Sequence, residues 1–148
     1  MYKCVIVESP SKCKKIEEYL GSNYKCIASY GHLRELNHTM KYTNIDSKKK
    51  QIDLIKKTIK SSSEVILATD KDREGEAIAW HICDMFNLPI KTTKRITFSS
   101  ITKEAILESI QSPGLIDMKL VESQKTRQML DITIGYKISP VLWKKITT

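Results

Sequence analysis

Glu64-Val65-Ile66-Leu67-Ala68-Thr69 holds four consecutive apolar residues, Val65 to Ala68, and stops against Asp70-Lys71-Asp72-Arg73-Glu74-Gly75-Glu76. Alternation of polar and apolar residues marks a half-buried strand, whereas an unbroken apolar run marks a strand covered on both faces, the usual condition of a parallel sheet. Lys3-Cys4-Val5-Ile6-Val7 has the same character and is ended by Glu8. Ser9-Pro10 then reads as a helix N-cap with proline at the first helical position. Cys13, Ile16, Tyr19 and Leu20 give the following helix an apolar face, and Gly21 is its stop. Tyr24 to Tyr30 reads as a second strand broken by Gly31-His32, and residues 37–47 as polar and irregular. Ile52, Ile55 and Ile59 recur at helical spacing. After the Glu64–Thr69 strand come a helix over Glu74–Leu88 and a short strand over Arg95–Phe98. A helix over Thr102–Ile110, closed by Pro113-Gly114, precedes a long helix from Asp117 to Ile134 stopped at Gly135. This order predicts an α/β fold with an open, mostly parallel four-stranded sheet flanked by helices.

The length of 148 residues suits one domain, or one domain and the beginning of another. With 25 Lys and Arg against 17 acids the net charge is +8, which favours a polyanionic partner such as nucleic acid. No apolar run approaches the roughly 18 residues of a membrane span, and no small-residue cleavage site follows the start. The four cysteines (Cys4, Cys13, Cys26 and Cys83) form no C-x-x-C pair, which argues against a disulfide framework and a structural zinc site. The expectation is a soluble, cytosolic protein.

The acidic stretch lies where an open α/β sheet forms its ligand crevice, at the carboxyl end of a strand. Four carboxylates within seven residues repel one another, and a hard divalent cation relieves the conflict; Mg²⁺ takes one or two protein carboxylates plus phosphate and water. Acids in a first helical turn also complement the helix dipole. That bland reading covers Glu74 and Glu76 but leaves Asp70 and Asp72, which precede the expected helix. Glu8 sits at a second strand end, either as a capping carboxylate or as a partner in the same crevice. Lys12 near a helix N-terminus opposes the dipole, which an anion such as phosphate would explain, although its stem could equally cover apolar surface. Gln124, Arg127 and Asp131 share one face of the last helix. They form either a surface Arg–Asp pair or an arginine aimed at phosphate and held by the aspartate. His32 and His81 each read as structural rather than catalytic, His81 within an apolar-rich helix, and Trp80 and Trp143 as packing.

Taken together these segments resemble the type IA DNA topoisomerases, specifically the Toprim module of the bacterial topoisomerase I-like enzymes. The resemblance runs through Val5-Ile6-Val7-Glu8-Ser9-Pro10-Ser11-Lys12, Gly31-His32-Leu33-Arg34-Glu35-Leu36 and Ala68 to His81. It continues with Arg95-Ile96-Thr97-Phe98, Ile101-Thr102-Lys103, Gly135-Tyr136 and Ser139-Pro140-Val141-Leu142-Trp143. A bare D-x-D would be weak; the blocks in order across almost the whole chain are specific. The resemblance implies a Toprim, Rossmann-like fold over residues 1–114, with 115–148 beginning a following helical domain. It implies that Asp70, Asp72, Glu74 and Glu8 bind Mg²⁺, and that Glu8 handles the proton of the 3′ hydroxyl. Lys12 would contact or protonate the phosphodiester, Arg73 support the acidic site, and His32, Gln124, Arg127 and Asp131 form the DNA-binding and supporting shell. The implied activity is Mg²⁺-dependent cleavage, strand passage and religation on a single-stranded segment of negatively supercoiled DNA, in the cytoplasm at the nucleoid or in a virus.

Two departures stand out: Lys71 replaces the family's usual proline or leucine, and Ser100 replaces a glutamate. The family's nucleophile is a tyrosine in a later domain, and none of the six tyrosines here matches that context. The expectation is therefore an N-terminal piece of a larger enzyme, partnered by that enzyme's other domains and inactive alone. An autonomous metal-dependent Toprim nuclease would need the same Glu8 and Asp70-x-Asp72 core but leaves the Gly135–Trp143 block unexplained. An inactive nucleic-acid-binding remnant sits poorly with an intact acidic set. A dinucleotide-type enzyme lacks G-x-G-x-x-G after the first strand.

Overall fold

The computed structural model describes residues 2–98 and 100–137, so the Ser139–Trp143 block lies outside the described residues. Strand β1 (Tyr2–Val7) is followed by a 3-10 turn (Pro10–Lys12), α1 (Cys13–Leu20), β2 (Tyr24–Ala28), β3 (Arg34–Leu36) and β4 (Tyr42–Asn44). Then come α2 (Lys49–Lys60), β5 (Ser62–Leu67), α3 (Arg73–Met85), β6 (Lys94–Arg95), α4 (Lys103–Gln111) and α5 (Met118–Lys137). The main sheet runs β2-β1-β5-β6 with every neighbouring pair parallel, as the double-faced burial of its strands requires.

That burial is visible residue by residue. Along β1, Cys4 and Ile6 enter one core layer while Val5 and Val7 enter the other; along β5, Val65 and Leu67 part from Ile66 in the same way. The first layer is closed by Ile52 and Ile55 of α2 and by Ile78 and Ile82 of α3, the second by Ile16 of α1 and Ile106 of α4. Helices thus cover both faces of the sheet. Ile116, just before α5, and Val121, in its first turn, join the first layer, and α5 packs on α3.

Four local expectations are corrected. The expected strand over Arg95–Phe98 pairs only at Lys94–Arg95; Arg95 also bridges antiparallel to Gly114, which ends the parallel ladder, although the Ile96 N–H still reaches the Leu67 carbonyl at 2.8 Å. The irregular stretch 37–47 contains half of an antiparallel hairpin, with Arg34 opposite Asn44 and Leu36 opposite Tyr42. Its turn is organised by Asn37, whose Oδ1 accepts from the N–H groups of Thr39 and Lys41. The second strand ends at Ala28 because Tyr30 (φ 57°) and Gly31 (φ 87°) turn into the left-handed region. The last helix does not stop at Gly135 but continues to Lys137.

Candidate functional site at the carboxyl edge of the sheet

β1 and β5 are adjacent and parallel, so Glu8 and Asp70, each just past a strand end, leave the sheet side by side. The Asp70 N–H donates to Glu8 Oε1 at 2.7 Å. Ser9 caps the turn that follows β1, with Pro10 at its first position, and this turn carries Lys12 back over the edge. Lys12 Nζ donates to Asp70 Oδ1 at 3.0 Å. Burial pushes the Glu8 carboxyl above its ordinary range. The Asp70 N–H pulls it back, the charges of Asp70 and Asp72 push it further up, and Lys12 pulls it down. Three carboxylates and one ammonium therefore share this edge.

Asp72 is the N-cap of α3: its backbone is extended and its Oδ1 accepts from the Gly75 N–H at 2.6 Å. Helix capping thus accounts for one oxygen of an aspartate that the sequence placed before the helix, because α3 begins one residue earlier than expected. Gly75 is required by proximity. A Cβ there would lie 1.9 Å from the Asp70 carbonyl oxygen, so only glycine lets the first turn of α3 press on the loop that presents Asp70. The buried Thr69 hydroxyl donates to the Gly75 carbonyl at 2.7 Å and ties the same two segments.

Beneath this edge lies a buried ion pair that the sequence did not single out. Arg95 and Glu76 are 4% and 5% exposed. Arg95 Nε donates to Glu76 Oε1 at 2.9 Å, and its other nitrogens donate to the carbonyls of Thr69, Ile96 and Asp70. Glu76 Oε2 accepts from the Asp117 N–H at 2.9 Å. One arginine thus fixes the loop after β5, and one glutamate attaches the start of α5. Periodicity explained Glu76 as a first-turn acid and Arg95 as a strand residue; a partner 19 positions away leaves no local signal.

Glu74 points elsewhere. Its Oε2 lies 2.6 Å from His32 Nε2, and its Oε1 accepts from the amide of the buried Gln124 at 2.5 Å. Arg73 lines a shallow groove of about 440 Å³ between α3 and α5, together with Asp72, Glu74, Leu120 and Ser123. Arg127 and Asp131 are exposed on α5, and no ion pair joins them. Two subsets of the expected residues therefore come together, Glu8–Lys12–Asp70–Asp72 and His32–Glu74–Gln124, while Arg127 and Asp131 lie apart on the surface of α5.

His81 is buried and accepts at Nδ1 from Arg34 Nε at 2.7 Å. Burial first, then the Arg34 and His32 charges, pushes it down to about 3, so it is neutral and structural. Arg34 also pairs with Asp84 and lies 4.9 Å from the Tyr42 ring centre, docking the hairpin on α3.

The donor set at the edge suits a hard divalent cation. Glu8 Oε2, Asp70 Oδ2 and Asp72 Oδ2 keep no hydrogen-bond partner among the described residues, and one or two carboxylates with water and phosphate are the usual Mg²⁺ set. As the side chains stand, no three acidic, histidine or cysteine groups among the described residues converge into a closed metal cluster.

The chain is similar to known proteins over nearly its whole length. Residues 3–101 match the Toprim domain family. Among solved structures, full-length topoisomerase I from Thermotoga maritima is 40% identical and superposes with a TM-score of 0.84. The match covers 95% of this chain but only 26% of that one, so the chain spans about a quarter of the length of its relative.

Proposed function

The chain belongs to the Toprim domain family, and on that footing we propose that it is the metal-binding catalytic domain of a type IA DNA topoisomerase. The observation that carries the proposal is the carboxyl edge of the sheet. There the Glu8 carboxylate rests on the Asp70 N–H, Lys12 bonds to Asp70, and Asp70 and Asp72 each keep a free oxygen. The likeness to topoisomerase I over almost all of this chain supports the same reading.

In this reading Asp70 and Asp72 hold Mg²⁺, with Glu8 alongside, and the bound ion would neutralise charge on the phosphodiester where a DNA strand is cut and rejoined. Lys12 lies next to Asp70 and can turn its ammonium to a phosphate oxygen. Glu8, whose affinity for a proton is raised by burial, is suited to give a proton to the departing 3′ oxygen and to take it back on religation. Arg73 supports the acidic edge from the groove between α3 and α5. His32, Gln124, Arg127 and Asp131 form the shell toward DNA, His32 and Gln124 acting through Glu74. Residues 1–114 form the Toprim unit, and 115–148 lead into a helical domain that belongs with it.

The nucleophilic tyrosine belongs to another domain of the same enzyme, and the substrate is a single-stranded stretch of negatively supercoiled DNA, at the nucleoid or on a viral genome. No helix among the described residues is long and apolar enough to cross a membrane. Incubation with negatively supercoiled plasmid and Mg²⁺, resolved on a gel, tests the assignment. Unchanged plasmid is expected. A ladder of relaxed circles would place a nucleophile within these residues and overturn the division of labour, and nicked circles would make the chain a hydrolytic nuclease.

A further inference from the structure

Glu74 sits in the first turn of α3, two residues from the cap Asp72, yet both its oxygens are engaged away from the acidic edge. Oε2 meets His32 from the turn after β2, and Oε1 meets Gln124 from α5. We propose that Gln124 and His32 are positioning residues that latch Glu74 off the Asp70–Asp72 pair, so that Glu74 joins Asp70, Asp72 and Glu8 at the metal site only when α5 releases it. The inference rests on the reading of that edge as a Mg²⁺ site.

Three observations give the latch its form. Gln124 is 6% exposed, so its amide is desolvated and a carboxylate is a favoured partner; losing that partner without another would leave a buried donor unsatisfied. Glu74 is about half exposed, so its side chain is free to rotate once the two contacts break. The amino-terminal part of α5 is anchored independently of Glu74, through Val121 in the core and the Asp117 N–H on Glu76. A shift of α5 at Gln124 can therefore change Glu74 without dismantling the fold. The groove that Arg73, Leu120 and Ser123 line between α3 and α5 lies at this junction, where a bound strand would press on both helices. Metal completion is thereby coupled to the position of α5.

Titration calorimetry of Mg²⁺ on the metal-free chain tests this, with melting in EDTA as the control for folding. Gln124→Leu is close in volume and removes the donor, and should bind Mg²⁺ about tenfold more tightly than the native chain. Glu74→Gln alone should change the native affinity by less than about twofold, but in the Gln124→Leu background it should cancel the gain, a non-additive cycle. Unchanged or weaker binding by Gln124→Leu would overturn the latch. So would a loss in Glu74→Gln alone as large as that caused by Asp70→Asn. If Gln124→Leu fails to fold, His32→Leu frees the other oxygen and is read in the same way. If the native Mg²⁺ heat survives in Asp70→Asn/Asp72→Asn, it is the metal site itself that fails.

Discussion

Glu8 is a carboxylate whose surroundings oppose its charge. Its folded pKa lies above the ordinary 4.5, burial being the largest cause. A raised acid favours the folded state in its protonated form; that contribution is fully present below the unfolded pKa and is lost as pH rises through the folded value. Glu8→Gln keeps an oxygen for the Asp70 N–H and removes the buried charge. It should melt above the native chain at pH 7, with the gap narrowing as pH falls through the raised folded value and gone below the unfolded value of about 4.5. A gap that stays constant with pH would refute the burial argument. Individual residues were legible in the sequence where chemistry and position coincide: Glu8, Lys12, Asp70 and Asp72 all lie in the strand-to-helix connections after β1 and β5. The role of Gly75 was not legible, because its reason is a 1.9 Å approach to Asp70 that only the packed turn creates. Asp72 does carry a local signal for its capping role: it lies three residues before Gly75, whose N–H it accepts.

At the scale of elements, the junction of β5, α3 and α5 is made by Arg95 and Glu76, both buried and paired at 2.8–2.9 Å. Breaking such a pair from one side strands the other charge. Arg95→Met should cost about 3–5 kcal/mol in urea unfolding, while Arg95→Met/Glu76→Leu should recover a large part of it. A loss below about 1 kcal/mol in the single variant would mean that the pair does not organise the loop after β5. The buried strands β1 and β5 were readable because their apolar runs, Cys4–Val7 and Val65–Ala68, are too short for a helix and rich in Val and Ile. The hairpin of β3 and β4 was not, since three-residue strands reading Arg-Glu-Leu and Tyr-Thr-Asn carry no periodicity. The β6 boundary failed for a related reason: apolar Ile96 and Phe98 pack in the core without extending the ladder.

For the whole molecule, the three-layer arrangement brings two strand ends, one capped helix and the start of α5 to one edge, leaving the acidic groups within a chain of net charge +8. A metal that binds only the folded state stabilises it in proportion to the logarithm of its free concentration over Kd. Every role proposed for this edge depends on Asp70 and Asp72 providing that site. The most direct measurement is the melting temperature of the chain, and of Asp70→Asn/Asp72→Asn, across a Mg²⁺ titration from EDTA upward at constant ionic strength. The native chain should melt at rising temperature as Mg²⁺ increases, and the double variant should not respond; an equal rise in both would contradict the assignment.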